Sequence, residues 1–164
     1  MLAAAAPVAA APPEPAPSGD DDAIEKAIHA SIGWALTKDR ALLESLLAHD
    51  EALFNFHPDA ATTVVGWDSM ARLFTFWMDP RSKATSYDTR DLRVNLSCSG
   101  DVSRFSAILD DCAKRRGKPS CWKDTRWTSV LEKHDGRWVI VQMHFSFATS
   151  PRAAGRTKPT GEDG

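Results

Sequence analysis

Residues 122–148, WKDTRWTSVLEKHDGRWVIVQMHFSFA, constrain this chain more than any other stretch. Two alternating runs, 122–133 and 137–147, flank the junction His134-Asp135-Gly136. Val, Ile, Thr, Trp and Phe dominate both runs, and Asp-Gly supplies the positive φ that a tight turn requires. The pattern predicts a long antiparallel hairpin. Counting back from the junction puts Arg126 opposite His144 and Thr128 opposite Gln142, give or take one register step.

Side chains alternate along a strand, so this hairpin has two unlike faces. One carries Trp122, Asp124, Arg126, Thr128 and Val130 with Trp138, Ile140, Gln142, His144 and Ser146. The other carries Trp127, Ser129 and Leu131 with Val139, Val141, Met143, Phe145 and Phe147. The apolar face must be covered, and the mixed face has the composition of a cavity lining.

A chain of 164 residues is one domain by default, and 43% hydrophobic residues with six tryptophans can build one core. The net charge of −2 gives no basic field to hold nucleic acid. No run approaches the roughly 20 apolar residues of a membrane helix, so no membrane partner is expected. Residues 1–21 read either as a disordered Ala/Pro-rich tail or as the remnant of an export signal. The export reading places the protein in the periplasm or outside the cell; the tail reading leaves it cytoplasmic. Residues 22–148 form the domain, and residues 149–164 read as a second disordered tail.

From Ala23, apolar residues recur at Ile24, Ala27, Ile28, Ile32 and Ala35, a helical stripe with Asp20, Asp21 and Asp22 at its start. Thr37-Lys38-Asp39 interrupts it, and residues 40–48 supply a second helix. Residues 53–57 and 62–65 read as short strands, and a third helix runs to Met78. Residues 87–96 and 102–112 alternate as strands, with a basic loop at 113–120 before Cys121. His57 either ends its strand or faces the mouth of a cavity. The sum is α+β: three N-terminal helices against a curved, mostly antiparallel sheet.

Cys112 and Cys121 stand at the two mouths of the 113–120 loop, where opposed hairpin positions allow a disulfide. Their pairing is expected if the chain is exported; in the cytosol both stay reduced. Cys98 reads as a small core residue. No closely spaced cysteine pair exists to hold zinc, no metal site is expected, and no phosphate-binding glycine loop or other cofactor motif appears. No cofactor is expected.

The run DTRWTSVLEKHDGRWVIVQMHFSFA also resembles the last two strands of SnoaL-like proteins in the nuclear transport factor 2-like superfamily. The match rests on Arg-x-Thr-x-x-Leu, Asp-Gly-x-Trp and His-x-Ser. A similar run closes the association domain of calcium/calmodulin-dependent kinase, where it lines a pocket. By position the pocket residues become Arg126, Gln142, His144 and Ser146, with Gln142 where the association domain has histidine. The resemblance implies a cone-shaped roll whose pocket takes a small organic, acidic ligand. Arg126 would anchor the acidic group with Gln142, Thr128 and Trp138 beside it, while His144 and Asp124 move a proton. An isomerase- or cyclase-type enzyme is one expectation; a non-catalytic binding or assembly module of the same fold is the other. The apolar hairpin face, if the helices cover the opposite side, calls for a second copy and predicts a homodimer through the sheet. The inverse assignment, with the apolar face under the helices and the Arg126–His144 side in water, leaves a monomer without a buried pocket.

Overall fold

A computed structural model describes residues 19–59 and 62–148. The expected tails fall almost wholly outside these residues. Helix α1 (Gly19–Thr37) buries Ile24, Ala27, Ile28, Ser31 and Trp34 along one stripe, as the periodicity predicts. Lys38 adopts a left-handed φ of 57°, which ends the helix. Asp39 then caps α2 (Arg40–Leu46), its carboxylate accepting from the Leu42 amide at 2.9 Å. The cap residue Leu47 is extended and bridges to Ile140, so α2 stops two residues earlier than expected.

Two short strands follow, β1 (Phe54–Phe56) and β2 (Val64–Val65), then α3 (Trp67–Trp77). Strands β3 (Ser82–Leu96), β4 (Val102–Arg115), β5 (Lys118–His134) and β6 (Arg137–Ser146) complete one open six-stranded sheet in the order β2-β1-β6-β5-β4-β3. The sheet is mixed, because β1 runs parallel to β6. Register shifts interrupt β3–β4, β4–β5 and β5–β6, and such bulges bend a sheet around its helices. The three helices with this sheet form the α+β cone expected from the sequence.

The basic segment expected as a loop at 113–120 is strand almost throughout. Arg116 and Gly117, both at positive φ, make a two-residue turn between β4 and β5. Cys112 and Cys121 pair directly across these strands with Cα atoms 4.1 Å apart, and they are joined by a disulfide. Cys98 is exposed in the β3–β4 turn rather than buried in the core.

The β5–β6 hairpin forms, but its register departs from the expected one. Asp135 and Gly136 alone make the turn, so His134 pairs with Arg137, and a shift between Val130 and Leu131 follows. Leu131 therefore faces Ile140, whereas Val130 faces Gln142 and Trp127 faces Phe145. One extra residue in β6 reverses the parity of its side chains. Trp138 and Ile140 thus join the side of Trp127 and Leu131, not the mixed face assigned from alternation alone.

The apolar face lies under the helices. Trp127, Leu131, Met143 and Phe145 are buried in one cluster with Ile24, Ile28, Leu43 and Phe74. The inverse assignment holds for the faces, although a cavity remains between helices and sheet. The chain's own helices cover this strip.

Candidate functional site

A cavity of about 360 Å³ opens on the concave side of the sheet, walled by α1, α2, α3, β1, β3, β4, β5 and β6. Its walls are largely apolar: Trp34, Leu43, Met70, Leu73, Trp77, Leu109, Met143 and Phe145 among them. Polar groups line it as well, among them Ser31 and Lys38 from α1 and its end and Ser82 and Ser120 from β3 and β5. Asn55 and His57 come from β1 and its end, Asp111 and Arg115 from β4, and Asp59 and Thr62 from the β1–β2 connection.

His57 follows the last residue of β1 and also lines the cavity, so both of its sequence readings hold. Thr62 Oγ1 lies 2.6 Å from His57 Nδ1 and donates to the Asp59 carbonyl at 3.0 Å. A hydroxyl has one hydrogen to give. In the tautomer whose Nδ1–H donates to Thr62 Oγ1, the hydroxyl's hydrogen serves Asp59 and the lone pair is on Nε2; in the other, the hydroxyl donates to Nδ1 and Nε2 carries the hydrogen. Trp122 packs against the imidazole with ring centroids 4.6 Å apart, and Phe145 lies at 6.0 Å. Burial lowers the His57 pKa, opposed by Asp59 and assisted by Arg115. Burial raises that of Asp111, against the pull of Arg115. The lining therefore includes an imidazole whose proton affinity burial lowers and a carboxyl whose proton affinity burial raises.

Asn55 is 3% exposed, and its Oδ1 has no hydrogen-bond partner among the described residues. Thr89, Thr125 and Trp127 also bury an unpartnered polar atom, but only Asn55 lines the cavity.

The residues singled out from the hairpin lie elsewhere. Arg126, Thr128 and Gln142 are exposed on the outer face of the sheet, opposite Ser146, His144 and Val130 respectively. His144 Nδ1 is 3.5 Å from Thr128 Oγ1, and its ring meets the edge of Phe56 at 5.5 Å. Asp124 binds Arg90 at 2.9 Å, in a surface network in which Asp110 also holds Arg90 and Lys123. Asp124 and His144 are not brought together, since Thr128, opposite His144, is four residues or roughly 13 Å along β5. Trp138 is buried, and its indole N–H donates to Asp20 at 3.1 Å. None of these six lines the cavity. For five of them the reason is the face, since the cavity uses the Trp127–Phe145 side; Trp138 shares that side but packs near the hairpin turn against Asp20. Among the described residues, no group of three or more His, Cys, Asp or Glu could hold a metal ion.

Asn55 and Asp111 escaped the sequence reading. The signal for the first was Asn-x-His alternating with two phenylalanines in LFNFH. Asp111 read only as charge balance for the basic segment, because its burial depends on β4 curling over the helices.

Comparison with known proteins agrees with this architecture. No curated protein matches the chain. Among solved structures, a nuclear transport factor 2-like superfamily protein from Salmonella enterica superposes with a TM-score of 0.67 at 21% identity, covering 78% of this chain and 90% of that one. A protein described as a "putative dehydratase" of the NTF2-like family from Streptomyces avermitilis gives 0.68 at 16% identity, covering 80% and 97%. A "putative scytalone dehydratase" from Novosphingobium aromaticivorans gives 0.68 at 11%, covering 79% and 85%. At these identities the likeness concerns the fold. Residues 24–150 match the sequence profile of the SnoaL-like domain, and the chain belongs to that family.

Proposed function

We propose that this protein binds a small organic molecule in the concave cavity and moves a proton on it, as an isomerase or lyase acting beside a carbonyl group. The observation that carries this reading is His57: an imidazole lining the cavity whose proton affinity burial lowers, and whose Nε2 can accept a proton in the tautomer with Nδ1–H donating to Thr62. Nε2 would remove a C–H proton next to the carbonyl, and the electron pair would move onto the carbonyl oxygen. A protonated Asp111 can donate a hydrogen bond to such an oxygen. Returning the proton to another carbon completes an isomerisation; loss of a β-hydroxyl, carrying the proton away as water, completes an elimination. The pair His57–Asp111 takes the role that the hairpin pattern assigned to His144 and Asp124. Two similar folds described as dehydratases accord with this chemistry. The cross-strand disulfide suits an oxidising compartment, in keeping with export.

Hydrogen–deuterium exchange tests the reading without knowledge of the substrate. Cyclic ketones incubated with the protein in D2O are followed by NMR. The wild type should accelerate exchange beside the carbonyl, and His57→Gln should not. Ketones that bind but exchange no faster than in buffer would leave a non-catalytic binding module.

A further inference from the structure

The charge and the hydrogen-bonding groups of the cavity narrow its ligand. Lys38 and Arg115 are the cations among the described lining residues. The Lys38 ammonium donates to the Asp79 carbonyl at 2.6 Å. Arg115 is exposed, its guanidinium 4.7 Å above the centre of the Phe76 ring. Asp59 and Asp111 line the same space. An anion in the interior would meet aromatic rings and two carboxyl groups, against one half-buried cation, Lys38, already bound to the Asp79 carbonyl, and the exposed Arg115.

Among the described residues, one fully buried polar side-chain atom of the cavity lining has no hydrogen-bond partner. Asn55 pairs with Met143 across β1 and β6, and both line the cavity. Asn55 Oδ1 is buried without a partner, two residues from His57. Leaving a buried amide oxygen unpaired is costly, whereas an apolar group of the same shape carries no such penalty. A ligand hydroxyl removes that penalty. Trp34, Trp77, Trp122 and Phe145 supply flat apolar walls on which a ring can lie.

We infer that the cavity takes an uncharged, ring-bearing molecule whose hydroxyl donates to the side-chain oxygen of Asn55, beside His57. This rests on the cavity being the binding site, as proposed above, and departs from the acidic ligand expected from the hairpin. The Asn55 contact selects and orients the ligand; His57 does the chemistry.

Calorimetric titration with three probes of one shape tests it at pH 7: 4-tert-butylphenol, 4-tert-butylanisole and 4-tert-butylbenzoate. The phenol is neutral there and donates, the ether only accepts, and the benzoate is charged. The wild type should bind the phenol about 3- to 10-fold more tightly than the ether, the worth of one net hydrogen bond, and the benzoate weakest of all. In Asn55→Leu the phenol and ether should bind alike, while His57→Gln should keep the preference. Should Asn55→Leu fail to fold, Asn55→Ala replaces it, and the wild-type order is decisive by itself. Equal binding of phenol and ether, tightest binding of the benzoate, or a preference that survives loss of Asn55 would overturn the inference while leaving the cavity as the binding site. Failure of every probe to bind would overturn both.

Discussion

The indole of Trp122 lies against the imidazole of His57, centroids 4.6 Å apart, and directly follows the bridged Cys121 in sequence. Asp111 and Ala113 flank Cys112 on β4, and Ser120 and Trp122 flank Cys121 on β5; all four line the cavity. The disulfide thus fastens the two strands that carry one wall of the site.

Opening that bond should loosen the wall as well as the fold. The bridge spans nine residues in sequence, and closing so short a loop stabilises by roughly 2–3 kcal/mol in the chain-entropy model. The double substitution Cys112→Ser with Cys121→Ser should lower Tm by about 6–12 °C in a scanning calorimeter. It should also shift the tryptophan emission, because Trp122 loses its fixed place on His57. An unchanged Tm would mean that the tip of the hairpin holds itself together without the bond.

The two titrating groups of the cavity give opposite pH signatures. The folded chain favours neutral His57, so between the lowered folded pKa and the ordinary 6.5 the unfolded chain binds more protons. Stability should therefore fall as pH drops from 6.5 towards the folded value, and His57→Gln should reduce that fall. Asp111 behaves in the reverse sense. Its folded pKa lies above 3.8, so stability is lost as pH rises from 3.8 through the raised value. Asp111→Asn should melt higher than wild type at neutral pH, with the gap closing in acid. Tm measured from about pH 4 to 8 for the three proteins checks both signs; parallel curves would refute them.

Local signals carried most of the fold. The kink at Lys38, the cap at Asp39 and the pairing of Cys112 with Cys121 each follow from a few neighbouring residues, and the structure has them. The side on which the site lies was not legible, for a specific reason. Alternation counted from His134-Asp135-Gly136 assumes an unbroken ladder, but the turn takes two residues and β6 then carries one extra. Asn55 and His57 became a site through the parallel pairing of β1 with β6, a contact between residues nearly ninety positions apart for Asn55 and Met143. Nothing local encodes that contact. Among the candidates, Arg126 and His144 lie on strands that wall the cavity but on the face turned away from it.

That reversal is open to a direct test on Met143 and Arg126. Met143 is 5% exposed, lines the cavity and belongs to the core cluster beneath the helices. A carboxylate at this position is buried with no cation beside it, an arrangement that costs several kcal/mol. Small domains have only about 5–15 kcal/mol in hand. Met143→Glu should therefore unfold the protein or lower its denaturation midpoint severely, whatever its oligomeric state. Arg126 is exposed on the opposite face, across from Ser146. Its replacement by Ala should change stability by less than about 0.5 kcal/mol and leave probe binding in the cavity as it was. Urea titrations of the two variants, with phenol binding for Arg126→Ala, give the answer. A well-folded Met143→Glu would place that residue outside the core, and loss of probe binding in Arg126→Ala would return the site to the mixed face of the hairpin.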